Sequence, residues 1–188
     1  IVARAAEHSN FVRIDMEDHS CTDSTLRIYR EVVGDMGNVG IVLQAYMRRT
    51  PADIADLLPL TPNVRICKGI YREPRTIAWK AFETVRSSFI YAMEKLLENS
   101  CYVGIATHDP HLVWAGMRAV DRLGLSREKY EFQMLHGVDP ELRRIILGEG
   151  HRLRVYVPYG QDWYPDSVRR LRENPTVAQH VIRAMLPW

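Results

Sequence analysis

The sequence predicts an α/β fold, a parallel sheet with one helix per crossover, and three observations carry the prediction. Six short apolar segments recur along the chain, helical patterns lie between them, and polar residues collect at the segment ends. The segments are 11–16 (FVRIDM), 39–44 (VGIVLQ), 64–69 (VRICKG), 102–107 (YVGIAT), 130–135 (YEFQML) and 153–158 (LRVYVP). Each is short, rich in Val, Ile and aromatics, and bounded by turn residues, the pattern of a strand. Their spacing of about 20 to 40 residues leaves room for one helix each, as parallel neighbours require.

Between the strands, Phe82, Val85, Phe89, Ala92, Met93 and Leu96 follow a 3.6-residue period, as do Leu112, Val113, Gly116, Met117, Val120 and Leu123. Thr50-Pro51 and Asp109-Pro110 each read as an N-cap followed by Pro at the first helical position. Two more helices are expected over about 163–174 and 176–186, separated by Pro175. This β-α alternation suits either an open doubly wound sheet or a closed barrel. No strand leads into Gly-x-Gly-x-x-Gly or a Gly-x-x-x-x-Gly-Lys-Ser/Thr loop, which weakens the nucleotide-binding open sheets. Asp15 and Glu17, Gln44, Lys68, Thr107 and His108, Gln133, and Tyr156 fall at strand C-termini. In a (βα)8 TIM-type barrel those ends converge on one mouth. A full barrel has eight strands; six are readable, so two β-α units ahead of residue 1 are expected.

With 188 residues, one domain over 1–188 is the expected organisation. Hydrophobic residues at 46% and charged residues at 26% fit a globular protein and argue against general disorder. A formal charge of +2 gives no nucleic-acid signature, which needs clustered cations. The arginines do bunch, at Arg143 and Arg144, Arg152 and Arg154, and Arg169, Arg170 and Arg172, as either anion sites or a solvated face. Cys21, Cys67 and Cys101 have no metal or redox spacing, so free thiols in a reducing, cytoplasmic compartment are expected. The opening IVARAAEHSN has no long apolar core, and a signal peptide or membrane span is not expected there. It also lacks an initiator Met, so a processed or partial chain is expected.

Several side chains are candidates for chemistry. Asp15 alternates with Ile14 and Met16; it is either a mouth carboxylate kept ionised by a basic partner or part of a solvated acidic run with Glu17 and Asp18. Arg65 and Lys68 share one apolar strand, where a buried charge needs compensation. They could attract an electron-rich ring or a phosphate; Lys68 could instead form a Schiff base, or snorkel to water. Period two puts them on opposite faces unless Lys68 lies beyond the strand end. Thr107 and His108 could hold a cofactor headgroup at a helix N-terminus, or satisfy backbone groups. His108 and His111 lack a companion carboxylate, and no metal site is expected. Arg169 and Arg170 project about 100° apart on a helix and could flank one carboxylate, with Glu173 in ion-pair reach of either. A basic solvated face is the plain alternative. Tyr156 could pack a ring or donate its hydroxyl, but Tyr is also a common strand residue.

Together RIDMED, VLQAY, VRICKGIYREP, ATHDP, EFQMLHG, RVYVPYG and the closing WYP…RR…E resemble the proline dehydrogenase family, including that domain of bifunctional proline-utilisation proteins. The resemblance covers nearly the whole chain. It implies a distorted (βα)8 barrel that binds FAD non-covalently at its C-terminal mouth. It also implies oxidation of L-proline to 1-pyrroline-5-carboxylate by hydride-equivalent transfer from C5 to flavin N5, with electrons passed to a membrane quinone. By motif, Arg169 and Arg170 match the pair that clamps the substrate carboxylate, and Glu173 matches their partner. Tyr71, Tyr156, Leu135 and Ile70 match positions enclosing the proline ring, and Asp15 matches a carboxylate beside the substrate. Arg65, Gln44, Lys68, Thr107 and His108 match flavin-contacting positions.

The chain departs from that pattern in two places. Asp166 stands where the family carries a Tyr over the substrate ring, which puts proline affinity, activity and a preference for a hydroxylated proline in question. A substrate-side Lys on an early strand would precede residue 1. Peripheral contact with the inner membrane and a fused or partner pyrroline-5-carboxylate dehydrogenase are further implications. A lyase or aldolase-like barrel using Lys68, and a relative that binds proline without turning it over, are the competing expectations.

Overall fold

A computed structural model describes residues 1–157, 160 and 161 of the chain. The helices expected over 163–174 and 176–186, and Pro158 at the end of the last expected strand, lie outside the described residues.

Each expected strand forms. They are β1 (Val12–Ile14), β2 (Val39–Gln44), β3 (Asn63–Cys67), β4 (Tyr102–Ala106), β5 (Tyr130–Leu135) and β6 (Leu153–Tyr156). A short α1 (Val2–Glu7) precedes β1, and α2 (Thr22–Val33), α3 (Thr50–Leu57), α4 (Phe82–Glu98), α5 (Pro110–Arg122) and α6 (Pro140–Gly148) follow β1 to β5 in turn. All strands are parallel and pair in the order β1-β2-β3-β4-β5-β6.

That order decides between the two folds left open. A doubly wound sheet reverses its strand order at a switch point and buries both faces under helices. Here the order never reverses, and the faces differ in chemistry. Ile41, Val64, Ile66, Val103, Ile105 and Phe132 share the apolar core with Phe89, Met93 and Leu96 of α4 and Leu112, Val113 and Val120 of α5. The opposite face, set by the register pairs Arg13↔Gly40, Arg65↔Gly104, Gly104↔Glu131 and Gln133↔Arg154, is largely polar. One helix-covered face and sequential order make a barrel wall, with the polar face turned inward.

The helices start where their capping chemistry allows. The Asp109 side chain accepts a hydrogen bond from His111 N at 3.1 Å, and Pro110 opens α5. Asp139 does the same for α6, accepting from Leu142 N at 3.0 Å. Thr50 does not cap α3. Arg49 already has helical angles (φ −80°, ψ −17°), so the cap position moves back by one residue. The Thr50 hydroxyl instead donates to the buried Gln44 carbonyl at 2.6 Å. The apolar face of α4 runs through Phe89, Ala92, Met93 and Leu96, but Phe82 is 56% exposed and lies under the Lys68 and Arg86 cations, at 4.6 and 4.2 Å. Gly116 of α5 sits so close to the sheet that a Cβ there would come within 3.0 Å of the Phe132 ring.

Polar groups on the inner face satisfy one another. Arg13 Nη1 donates to the carbonyls of Ile41 (3.1 Å) and Asn63 (2.7 Å), and Nη2 donates to Asn63 Oδ1 at 2.6 Å. The buried Glu131 carboxylate accepts from Arg154 Nε (2.6 Å), Arg154 Nη2 (3.0 Å) and Gln133 Nε2 (2.7 Å). Burial alone would raise its pKa; the Arg154 and Gln133 hydrogen bonds outweigh burial and hold it below the ordinary carboxylate value. Gly40 makes room for the Arg13 strap. A Cβ at Gly40 would press on the Arg13 guanidinium and come within 2.6 Å of the Asn63 carbonyl oxygen. Gly40→Ala is therefore expected to destabilise by about 1–3 kcal/mol, read as a lower urea midpoint at unchanged slope.

Candidate active site

The C-terminal strand ends gather the candidate residues into two groups and a third, supporting cluster. Around β1 to β3, Asp15 lies just past Ile14 and its carboxylate pairs with Arg65 Nη2. Arg65 is an inner-face residue of β3, so Asp15 has the basic partner that the sequence left open. Gln44 closes β2, is 5% exposed, and its Nε2 donates to the carbonyls of Met16 and Glu17, both at 3.3 Å. Its Oε1 is buried and has no hydrogen-bond partner among the described residues. Tyr71 donates its hydroxyl to the Glu17 carboxylate, and Ile70 beside it is 40% exposed.

Around β4 to β6, His108 Nε2 accepts a hydrogen bond from Leu135 N at 2.8 Å. A neutral His108 ring must then carry its proton on Nδ1. Leu135 is the register partner of Tyr156, which is half exposed at the end of β6. Thr107 is buried, and its Oγ1 accepts from Asp109 N at 3.1 Å. Arg169, Arg170, Glu173 and Asp166 lie outside the described residues.

The third cluster settles how Arg65 and Lys68 relate. Strand β3 stops at Cys67, because Gly69 has φ +102° and a side chain there would collide with the Tyr46 ring. Lys68 therefore sits beyond the strand and escapes its alternation. Rather than snorkel to water, it donates to Asp109 Oδ2 at 2.6 Å. Arg86 Nε reaches the same oxygen at 2.8 Å and Arg86 Nη2 reaches Oδ1 at 2.8 Å. Burial alone would raise the Asp109 pKa; the Arg86 and Lys68 hydrogen bonds outweigh it and bring it down to about 2. One carboxylate thus ties the end of β3 and the start of α4 to the N-terminus of α5.

Asp109 was legible in the sequence as a cap but not as this hub, and Arg86 carried no signal. Glu131 could have been found, because alternation in YEFQML places it with Gln133, opposite Tyr130, Phe132 and Met134. A cleft of about 670 Å3 lined by Ala6, Ser9, Asn10, Phe11 and residues 35–38 lies at the other, N-terminal end of the strands and contains none of these side chains. Among the described residues no group of three His, Cys, Asp or Glu is placed to hold a metal, and no helix is long and apolar enough to cross a membrane. All three cysteines are free.

A barrel wall with a polar interior and its polar side chains gathered at the strand C-termini defines an α/β-barrel protein whose mouth is the candidate ligand site. The family model for proline dehydrogenase matches residues 1–183, and the chain belongs to that family. It is 40% identical over 188 residues to a proline dehydrogenase of Deinococcus radiodurans, covering 99% of this chain and 61% of that protein. It is 36% identical over 186 residues to proline dehydrogenase 1 of Bacillus subtilis strain 168, covering 99% of this chain and 62% of that one. The chain thus spans about three fifths of the length of these curated relatives. Among solved structures, proline utilization A from Bdellovibrio bacteriovorus, inactivated by N-propargylglycine, matches 84% of this chain and 19% of that chain, with TM-score 0.78 and 27% identity. Proline utilization A from Bradyrhizobium japonicum matches 95% of this chain and 21% of that chain, with TM-score 0.83 and 24% identity, a likeness of fold.

Proposed function

We propose that the protein carrying this chain is an FAD-dependent proline dehydrogenase that oxidises L-proline to 1-pyrroline-5-carboxylate. The observation that carries this reading is the Asp15–Arg65 pair beside the orphaned Gln44 Oε1, on the inner side of a barrel mouth in a member of this family. The donor set fits a flavin: the Gln44 acceptor suits an imide N–H, and the Arg65 cation suits a ring that becomes anionic on reduction. Gln44, Arg65, Lys68, Thr107 and His108 would hold it. Bound there, FAD would supply the acceptor, at N5, for the hydride-equivalent from proline C5. Arg169 and Arg170 would anchor the substrate carboxylate, with Glu173 holding one of them. Asp15, Ile70, Tyr71, Leu135 and Tyr156 would enclose the ring, and fixing both ends of so small a molecule provides most of the catalytic orientation.

On this reading electrons pass on to a membrane quinone, the cytoplasmic protein touches the inner membrane peripherally, and a pyrroline-5-carboxylate dehydrogenase, fused or separate, takes the product. The working barrel would include two β-α units besides the six strands seen here, and 1–188 would be one part of that single domain. The lyase reading draws no support from Lys68, whose amine is engaged by Asp109 as a hydrogen-bond donor.

Proline added anaerobically to the full-length protein is expected to bleach flavin bands at about 380 and 450 nm. A purified protein without those bands, or with bands that proline leaves unchanged, would overturn the proposal. Asp166 favours one second reading, a relative that binds proline without oxidising it. Dye-coupled oxidation separates the two: the parent is expected to turn over proline, whereas an inactive parent rescued by Asp166→Tyr would favour the binding-only protein.

A further inference from the structure

The mouth is crossed by a tie between two loops that the function above leaves unused. The loop after β1 holds Glu17 and His19, and the loop joining β3 to α4 holds Ile70, Tyr71 and Glu73. Each loop lends the other one carboxylate. Tyr71 donates to Glu17, Glu73 accepts from His19 N at 2.9 Å, and its other carboxylate oxygen lies 2.5 Å from His19 Nδ1. Glu73 is only 5% exposed, so its carboxylate is committed to this contact, while His19 remains half exposed. Both flanks of the second loop are separately fastened. Tyr46 N donates to the Lys68 carbonyl at 2.9 Å on one side, and Trp79 N donates to the Tyr46 carbonyl at 2.8 Å on the other. Between these anchors Glu73 N donates to the Tyr71 carbonyl at 3.0 Å, a tight turn that makes residues 71 and 73 move together.

We propose that Glu73 and His19 are positioning residues: their contact holds the turn that carries Ile70 and Tyr71 over the mouth, and so sets how tightly the substrate ring is enclosed. This rests on the function proposed above. Loss of the tie leaves the loop rooted at both ends but free to lift at its centre, which enlarges the enclosure without touching Arg65 or Gln44. Discrimination between proline and a bulkier ring then falls, because exclusion by shape depends on a wall that does not yield.

The test uses His19→Ala and Glu73→Gln in the full-length flavoprotein. His19→Ala keeps the backbone donor to Glu73 and alters a half-exposed side chain, so it is expected to fold with parental flavin content. Its KM for proline is expected to rise about tenfold, the worth of one charge-assisted hydrogen bond, with a smaller change in kcat. The kcat/KM ratio of 4-hydroxyproline to proline is expected to rise, which general destabilisation would not produce. Amide exchange over residues 69–78 is expected to quicken, a readout that needs no turnover. Parental exchange over that segment in both variants would overturn the tie whether or not the parent oxidises proline. Parental KM and selectivity in an active protein would overturn its role in enclosure. A parent whose flavin proline does not bleach would instead count against the proposed function.

Discussion

In the full-length protein Asp109→Asn is expected to lower stability by about 3 kcal/mol, the low end for removing one partner of a buried ion pair. The low end applies because Lys68 and Arg86 keep 29% and 22% of their side-chain exposure and can recover some hydration. Asn retains an oxygen that can cap α5. Asp109→Ala loses the cap as well and is expected to cost about 1 kcal/mol more. Urea unfolding at pH 7 measures both, and equal midpoints for parent and Asn variant would remove Asp109 as the hub. The effect also has a defined pH dependence. Folding lowers this carboxyl from 3.8 to about 2, because the bonds from Arg86 and Lys68 exceed the cost of burial. A carboxyl whose pKa drops on folding stabilises the fold above its unfolded value and loses that contribution as pH falls through the folded one. The midpoint gap between parent and variant is therefore expected to close from about pH 4 down to about pH 2.

Arg169→Met is expected to weaken proline use by about 30-fold to several-thousand-fold, equivalent to roughly 2–5 kcal/mol for losing one partner of a buried charge pair. Flavin content is expected to stay at the parental level, since Arg65, Gln44, Lys68, Thr107 and His108 are the proposed cofactor residues. The split arises from chemistry: a guanidinium offers a carboxylate two parallel charged hydrogen bonds, which a thioether cannot replace. Anaerobic titration of the bound flavin with proline reads the affinity directly. Unchanged affinity in the variant would remove Arg169 from the clamp.

How much was readable in advance depends on the range of the interaction. Strands β2 and β5 fall on the expected residues 39–44 and 130–135, because apolar runs and their bounding turns are local signals. The apolar pattern of the third strand runs through residue 69, but the strand ends at Cys67, where the backbone at Gly69 turns left-handed against Tyr46. That contact spans 23 residues, from 46 to 69, and has no local signature. The Thr50 cap failed for a related reason: its hydroxyl was claimed by a carbonyl at the end of β2. In the mouth, the proline-dehydrogenase motifs contain Asp15, Arg65, Lys68, Glu73 and Asp109 but not His19, and they do not say which residues pair. Lys68 with Asp109, Arg65 with Asp15 and Glu73 with His19 join residues 41 to 54 positions apart. Contacts at that separation become visible only once the topology has brought the loops side by side.

The two unlike faces of the sheet have a consequence for how the chain finds its pairing. Sliding β1, β3 or β5 by one residue swaps its faces, and the swap would drive Arg13, Arg65 or Glu131 into the aliphatic layer beneath α4 and α5. An all-aliphatic strand could tolerate such a slip, whereas these strands cannot. The charges that line the cavity also proofread the assembly of its wall.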